Sequence, residues 1–282
     1  MKKKIEIKRK LIKFGVIKKI IKTISLISII KWKKISRELS EIRLLVLRLA
    51  KFISILNEKK VISLSDFWSI HPLRRIIIVV NSDLGLCGSF NNHINNFICR
   101  KYLPGDQLIL IGKKARQFRG WPETQLFFLD RSPNKLDLVK KIMEIIYQPV
   151  IKRNTHELIF AYNNVNMVEE VKTGTVFLPF VDRLKRALIK AEKDNHDHFT
   201  DWLVEVSQAS VKREKIIFDF LFAETILQLS LADFSEYKIR QIILKESEDN
   251  LNKILKKWTR EFQKSRQEEI TENVIISNYE SF

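Results

Sequence analysis

Proline and glycine are concentrated in the middle of this 282-residue chain, and their distribution is its most constraining feature. All six prolines lie between Pro72 and Pro179, and residues 1–71 contain a single glycine, Gly15. Residues 180–282 contain neither. Because both residue types mark turns and disfavour helix interiors, the sequence predicts a helical start, a turn-rich centre and a helical end.

Both ends of the chain contain apolar stripes with helical spacing. In the first segment the stripe alternates steps of four and three residues, which is typical of a coiled-coil seam: Ile35, Leu39, Ile42, Val46, Leu49, Ile53 and Leu56. The last segment has a looser stripe: Ile216, Phe220, Ala223, Leu227, Leu231, Leu251, Leu255, Trp258 and Phe262. As single helices, residues 3–58 and 208–280 would be roughly 84 and 110 Å long. They predict a long antiparallel coiled coil, with ordinary amphipathic helices of a bundle as the alternative.

The centre alternates apolar runs with helical patterns. The predicted strands are residues 76–80, 107–112, 124–129, 157–162 and 175–180, and the predicted helices are residues 90–101, 113–119 and 135–148. This alternation is typical of a Rossmann-like, mainly parallel α/β domain with helices on both faces of the sheet. The resulting domain prediction is an N-terminal coiled-coil helix (1–71), an α/β domain (72–180), a variable connection (181–207) and a C-terminal coiled-coil helix (208–282).

The formal net charge of +18 indicates an acidic partner. Residues 1–40 hold 14 Lys and Arg residues against Glu6 and Glu38. The two cysteines, Cys87 and Cys99, are too few for a disulfide framework and favour a reducing compartment. A His-Asp-His triplet at 196–198 lacks a further ligand cluster, so we expect no metal site. No stretch is long and apolar enough to predict a transmembrane helix.

The segment SDLGLCGS (82–89) follows the strand-like run RRIIIVV. It lacks the glycine spacing of a dinucleotide loop and the Lys of a P-loop, and Asp83 would repel a phosphate. His93 lies near Cys87 in sequence, but nothing indicates that the two form a nucleophile pair. We therefore predict a shaping turn in which Gly85 and Gly88 permit the sharp change of direction.

Several segments together resemble the gamma subunit of F-type ATP synthases. NSDLGLCGSFN resembles the family's S-D-R-G-L-C-G-G-L-N loop, and IGKKARQF (111–118) resembles I-G-K-K-G-x-x-F. SRQEEITENVIISN (265–278) resembles the C-terminal A-R-Q-x-x-I-T-x-E-I motif. The first helix matches the family at Ile7, Lys8, Arg9, Lys19, Ile20, Lys22 and Lys31. The resemblance covers nearly the whole chain, with about residues 190–210 unassigned.

This resemblance implies the central rotor shaft of a rotary ATPase. The implied partners are three alpha and three beta subunits, an epsilon-like small stalk subunit, and a rotor ring or its substitute. It implies no nucleic-acid partner, no direct membrane span, no catalytic residue and no cofactor, because nucleotide chemistry takes place on the ring. The implied location is the cytoplasmic face of a membrane, or the matrix side of an organelle's inner membrane.

The resemblance also assigns partner-contact residues on the two terminal helices. Those expected to contact the lever and catch loops of the ring are Lys22, Ile24, Leu26, Lys31, Lys33, Lys34, Arg266, Gln267 and Thr271. The planar guanidinium of Arg266 presents its N–H hydrogen-bond donors in a fixed geometry that a lysine side chain would not reproduce. The chain departs from the family at Ile24 and Leu26, which replace paired methionines, and at Asn273, which replaces a glutamate.

Three alternative functions remain open from the sequence. The departures at contact positions also fit the shaft of a repurposed F-type-like ATPase that drives a task other than proton pumping. A basic coiled coil with a small α/β domain could instead bind nucleic acid through its N-terminal lysines. Residues 5–34 could form an amphipathic membrane anchor.

Overall fold

The computed structural model describes residues 2–58, 74–132, 134–151, 156–165, 173–179, 185–187, 189 and 213–280. The chain divides into two compact units. The first unit contains residues 1–31 and 240–282, and the second contains residues 32–239. The predicted domain bounds stay a prediction, and most of the predicted connection at 181–207 lies outside the described residues.

Two long helices occupy the ends of the described chain. Helix α1 spans Lys2–Glu58, and the C-terminal helix, here α5, spans Arg213–Glu280. Both lie where the absence of proline and the apolar stripes predict them, which confirms the helical ends. Residues 208–212 of the predicted C-terminal helix lie outside the described residues.

The centre of the second unit is a five-stranded sheet. Its strands are β1 (Arg74–Val80), β2 (Gln107–Ile111), β3 (Leu126–Leu129), β4 (His156–Val165) and β5 (Thr173–Pro179). Their order is β3-β2-β1-β4-β5. β1, β2, β3 and β4 run parallel, whereas β5 pairs antiparallel with β4. At the middle of the sheet, Ile78 lies opposite Ile109 on one side and Phe160 on the other. The predicted mainly parallel α/β fold is confirmed.

Strand β1 is buried along both faces. Each residue of Ile76–Val80 is at most 1% exposed, as a continuous apolar run in a covered parallel sheet requires. Three shorter helices join the strands: α2 (Phe90–Lys101), α3 (Lys113–Gln117) and α4 (Lys135–Ile151). α2 and α4 contribute Ile94, Ile98, Val139, Ile142 and Ile146 to the same core, and each is fully buried.

The seam of α1 packs into the same core. Ile35, Leu39, Val46, Ile53 and Leu56 are buried, and they belong to one hydrophobic cluster with the sheet and with the first half of α5. The 3.5-residue stripe in this part of α1 is therefore explained by packing in the second unit, in which α1, α5 and the sheet share a core.

Element bounds differ from the sequence predictions where a local feature overrides the pattern. β2 ends at Ile111 because Gly112 adopts a φ of 96°. β3 begins at Leu126, two residues after Thr124, whose hydroxyl donates a hydrogen bond to the Asp106 carbonyl oxygen. α4 continues through Pro149 to Ile151, so this proline lies inside the last turn of the helix instead of ending it. Phe180, at the end of the last predicted strand, lies outside the described residues.

Candidate functional site

The turn after β1 is joined to the turn after β2 by hydrogen bonds. The backbone N–H of Lys113 donates to Asp83 Oδ1 at 2.9 Å, and the N–H of Lys114 donates to the Ser82 carbonyl at 3.1 Å. The N–H of Asn81 donates to the Ile111 carbonyl at 2.9 Å. The Asp83 carboxylate is thus used to hold the two turns together, as a shaping turn requires.

Leu86 and Gly88 provide the left-handed backbone of this turn. Their φ angles are 63° and 55°. A left-handed conformation costs a leucine about 1–2 kcal/mol, so the surrounding structure must stabilise it. Gly85 does not adopt a positive φ, and a Cβ there would have no neighbour within 4 Å. The prediction that Gly85 supplies conformational freedom is therefore wrong, whereas that for Gly88 is supported by its φ.

Gly112 is required for the close approach of the two turns, and the sequence reasoning missed it. Its φ is 96°, and a Cβ at this position would lie 2.4 Å from the Asn81 carbonyl oxygen. The sequence does contain a signal for this requirement, because Gly112 comes immediately after an apolar, strand-like run, in the IGKK segment. Backbone approach of this kind excludes every residue except glycine.

Ser82 and Asn91 form a buried polar link between the turn and the start of α2. Asn91 Oδ1 accepts from the Ser82 N–H at 2.9 Å, and its Nδ2 donates to Ser82 Oγ at 2.8 Å. Nearby, Cys87 is buried, and its Sγ lies 3.5 Å from the Gly85 carbonyl oxygen as a weak donor. This position gives the thiol a structural role within the turn.

A cluster of charges joins the end of β3 and the start of α4 to helix α5 inside the second unit. Arg131 Nη1 lies 2.8 Å from Asp233 Oδ1 and 2.7 Å from Glu236 Oε2. Lys135 Nζ lies 2.9 Å from Asp233 Oδ2 and donates to Ser230 Oγ at 2.9 Å. Burial disfavours the charged guanidinium, but the carboxylates of Glu236 and Asp233 outweigh burial and raise the pKa of Arg131.

The first unit consists of the ends of α1 and α5, which contact each other in antiparallel order. Lys4 forms an ion pair with Glu269, and Lys10 Nζ lies 4.7 Å from the centre of the Trp258 ring. The hydrogen bond from Lys4 lowers the pKa of Glu269. Ile7 is buried in this unit, and the predicted stripe residues of α5 there are half-buried: Leu251, Leu255, Trp258 and Phe262.

The predicted partner-contact residues lie mostly on exposed helix surface. Lys22, Leu26, Lys31, Lys33, Lys34, Arg266, Gln267 and Thr271 are exposed, and Ile24 is half-buried. Gln267 and Thr271 are one turn apart and line the same shallow depression on α5, together with Lys264, Glu268 and Glu272. Arg266 is exposed beside this depression and does not line it. No observation tests the contacts themselves, so these residues stay predictions.

Helix α1 also exposes many large apolar side chains in the first unit. These residues, named here the exposed α1 residues, are between 42% and 67% exposed: Ile5, Ile12, Val16, Ile17, Ile20, Leu26, Ile27 and Ile30. The same stretch of α1, residues 2–31, contains eleven Lys and Arg residues and only one acidic residue, Glu6. Its surface is therefore both cationic and apolar.

The described residues include no group of three His, Cys, Asp or Glu side chains that could hold a metal ion. The 196–198 His-Asp-His triplet lies outside them. Among the helices searched, none has an apolar stretch of the length that crossing a membrane requires.

The sequence profile of the ATP synthase family matches residues 3–277, and the chain belongs to that family. It is 29% identical to the ATP synthase gamma chain of Mycoplasma mobile over 209 residues, which cover 71% of this chain and 68% of the relative. It is 26% identical to the gamma chain of Buchnera aphidicola over 292 residues, with 96% of each chain covered.

Solved structures share the fold at low sequence identity. Two are chains from the mitochondrial ATP synthase of Euglena gracilis, each 14% identical. One belongs to the rotor, with a TM-score of 0.57 and coverage of 95% of this chain and 99% of that chain. The other belongs to the assembly of OSCP, F1 and c-ring, with a TM-score of 0.61 and coverage of 97% and 91%.

The predicted relationship to gamma subunits and the predicted role of central rotor shaft are confirmed. The chain is a subunit of a rotary ATPase. The repurposed-motor and nucleic-acid alternatives are not favoured, because relatives that cover 91–96% of the chain are ATP synthase gamma chains.

Proposed function

We propose that this chain couples rotation to ATP synthesis or hydrolysis, and thereby to hydrogen ion transport, as a non-catalytic shaft held inside a ring of alpha and beta subunits. The exposed α1 residues are the observation that supports this proposal most directly. A pair of helices that leaves eight large apolar side chains in water gains stability when other chains cover them. A ring that encloses the pair would do so from every side.

The charge of α1 suits a rotating contact. Lysine side chains attract acidic loops over distance and with little directional preference, so a cationic surface can move past several equivalent positions without being held at one. We propose that Lys22, Lys31, Lys33 and Lys34 provide this attraction towards the beta subunits. Lys34 lies 3.9 Å from Glu38 in the second unit, and this distant, exposed pair leaves it able to exchange partners.

Arg266, Gln267 and Thr271 are proposed to bind a catch loop of the ring by hydrogen bonds. Arg266 is exposed, and its neighbours Gln267 and Thr271 present polar groups on the adjoining depression. The remaining proposed partners are an epsilon-like small stalk subunit and a membrane rotor ring. The proposed location is the cytoplasmic or matrix face of the membrane that holds this ring.

The test begins with the tagged chain purified from its own cells in mild detergent, with its partners identified by mass spectrometry. Alpha and beta subunits together with a rotor ring are expected. Nucleotide-binding ring subunits with no rotor ring would instead indicate a motor that drives another task. The absence of any ATPase subunit would contradict the proposal.

The contact residues are tested in the same complex. Arg266→Lys is expected to lower the rate of ATP hydrolysis or the yield of complex about tenfold, because a lost hydrogen bond to a charged group costs about 1.5–3 kcal/mol. The control is Asn252→Ala, an exposed position of α5 outside the proposed contact. Equal behaviour of the two variants would contradict the role of Arg266.

A further inference from the structure

A cationic cleft lies in the second unit, beside the turn after β1. Its volume is about 400 Å³, and it is bounded by residues 85–88, the first turn of α2 and the end of α3 with the residues that follow it. Lys114 and Arg119 line the cleft, and no carboxylate is among its lining residues. None of the partner-contact residues assigned above belongs to this surface.

Among the described residues, no carboxylate forms an ion pair with the two cations of the cleft. Lys114 Nζ donates to Gln117 Oε1 at 2.8 Å, which is a neutral partner. Within the described ranges, neither Lys114 nor Arg119 forms a salt bridge. Two acidic residues of the adjoining segments have other partners, since Asp83 accepts from the Lys113 backbone N–H and Asp130 lies 3.5 Å from Arg116.

Apolar side chains adjoin these cations. Leu86 lines the cleft and is 51% exposed, and Leu84, two residues earlier, is 63% exposed. Phe118 forms a further part of the lining, and its ring packs edge-on against Trp121 with centroids 5.1 Å apart. A small free anion would be attracted by Lys114 and Arg119 but would gain nothing from contact with the leucines. A protein segment that places carboxylates next to a large apolar side chain would contact both the cations and the leucines.

We propose that this cleft docks an acidic segment of a partner protein, with carboxylates on Lys114 and Arg119 and an apolar anchor against Leu86. The charge complementarity orients the partner segment and raises its rate of encounter with the cleft, and the apolar contact adds affinity. The left-handed backbone at Leu86 sets the direction in which this side chain leaves the turn.

Zero-length carbodiimide cross-linking of the intact, purified complex tests this proposal, because it joins an amine only to a carboxylate in direct contact. We expect Lys114 to be linked to an Asp or Glu of a partner subunit. Arg119→Gln and Leu86→Asn should each lower the yield of that link about tenfold, and asparagine is chosen because it tolerates the left-handed conformation. Lys141→Gln, an exposed position of α4, is the control and should not change the yield.

Each other outcome overturns the proposal. No link from Lys114 to another chain, in a complex that purifies with all its subunits, would show that no acidic segment docks there. Protection of Lys114 from amine reagents only when vesicles containing phosphatidylglycerol are added would identify a lipid surface instead. Equal protection of the isolated chain by inorganic phosphate would identify a small-anion site. Because the purification is scored separately, failure here is distinguishable from failure of the proposed shaft function.

Discussion

Replacing Arg131 by methionine is the sharpest test of how the second unit holds helix α5. Methionine keeps much of the side-chain volume and removes the guanidinium, so the change deletes the charge with little loss of packing. The side chains of Arg131 and Glu236 are 15% and 3% exposed, and their charged atoms lie 2.7 Å apart. The variant would therefore remove a guanidinium that lies next to a buried carboxylate.

The expected loss in the free energy of unfolding is about 3 kcal/mol, at the lower end of the roughly 3–5 kcal/mol found when one partner of a buried ion pair is removed. The lower end applies because Asp233, the other carboxylate, keeps Lys135 at 2.9 Å. Adding Glu236→Gln to the variant should restore part of the loss, since the negative charge that faced Arg131 is then removed. The loss should also persist in high salt, because buried pairs are screened weakly.

The assay is urea unfolding of the full chain, followed by far-ultraviolet circular dichroism. The matched control is Arg116→Met, which breaks an exposed ion pair of 3.5 Å and should cost about 0–1 kcal/mol. An Arg131→Met variant that loses no more than this control would refute the reasoning. So would a loss that disappears in high salt or that Glu236→Gln does not reduce.

Three further outcomes follow from the structure. Gly112→Ala should lower the free energy of unfolding by at least about 2 kcal/mol, because the alanine would need a positive φ and its Cβ would lie 2.4 Å from a backbone oxygen. The control Gly85→Ala should change the free energy of unfolding by less than about 1 kcal/mol. Equal losses of the two variants in urea unfolding would contradict this prediction. Val46→Pro should lower the free energy of unfolding by about 3 kcal/mol or more in the same assay and should reduce the helical content. An unchanged helical content would contradict the assignment of this position to a helix interior. Cys99, whose thiol pKa is raised by burial, should react with iodoacetamide at a higher pH than it does in the urea-unfolded chain. Because the pKa of Cys99 is higher in the folded chain than in the unfolded chain, the stability contributed by the neutral thiol is complete below the ordinary thiol pKa and is lost as the pH rises through the folded value. Mass-spectrometric labelling between about pH 7 and 10 measures the pH dependence of the reaction with iodoacetamide in both states. Identical folded and unfolded profiles would contradict the prediction.

The helices and strands could be predicted because their signals are local. The run RRIIIVV contains enough apolar, β-branched residues to specify a covered strand, and the chain ends lack the residues that interrupt helices. The parallel arrangement followed from the alternation of such runs with helical patterns. The edge strand β5 pairs antiparallel, and no local pattern in its seven residues distinguishes that direction.

The details of the turn and of the charge cluster could not be predicted because they depend on contacts between distant residues. Gly112 is required by Asn81, which lies 31 positions earlier, and the requirement exists only once β1 and β2 are paired. Arg131 and Asp233 are separated by 102 positions and gave no sign in the sequence that they meet. The prediction for Gly85 failed because composition identifies a turn without identifying which of its residues adopts the left-handed conformation.

The exposed α1 residues also affect the life of the chain before it joins its partners. A newly made copy would present eight large apolar side chains to water, and chaperones and proteases remove chains that expose such surface. Copies made in excess of the ring would be degraded instead of accumulating. The surface that allows this chain to serve as a shaft would thus also set its abundance, by linking the lifetime of each copy to the supply of the subunits that enclose it.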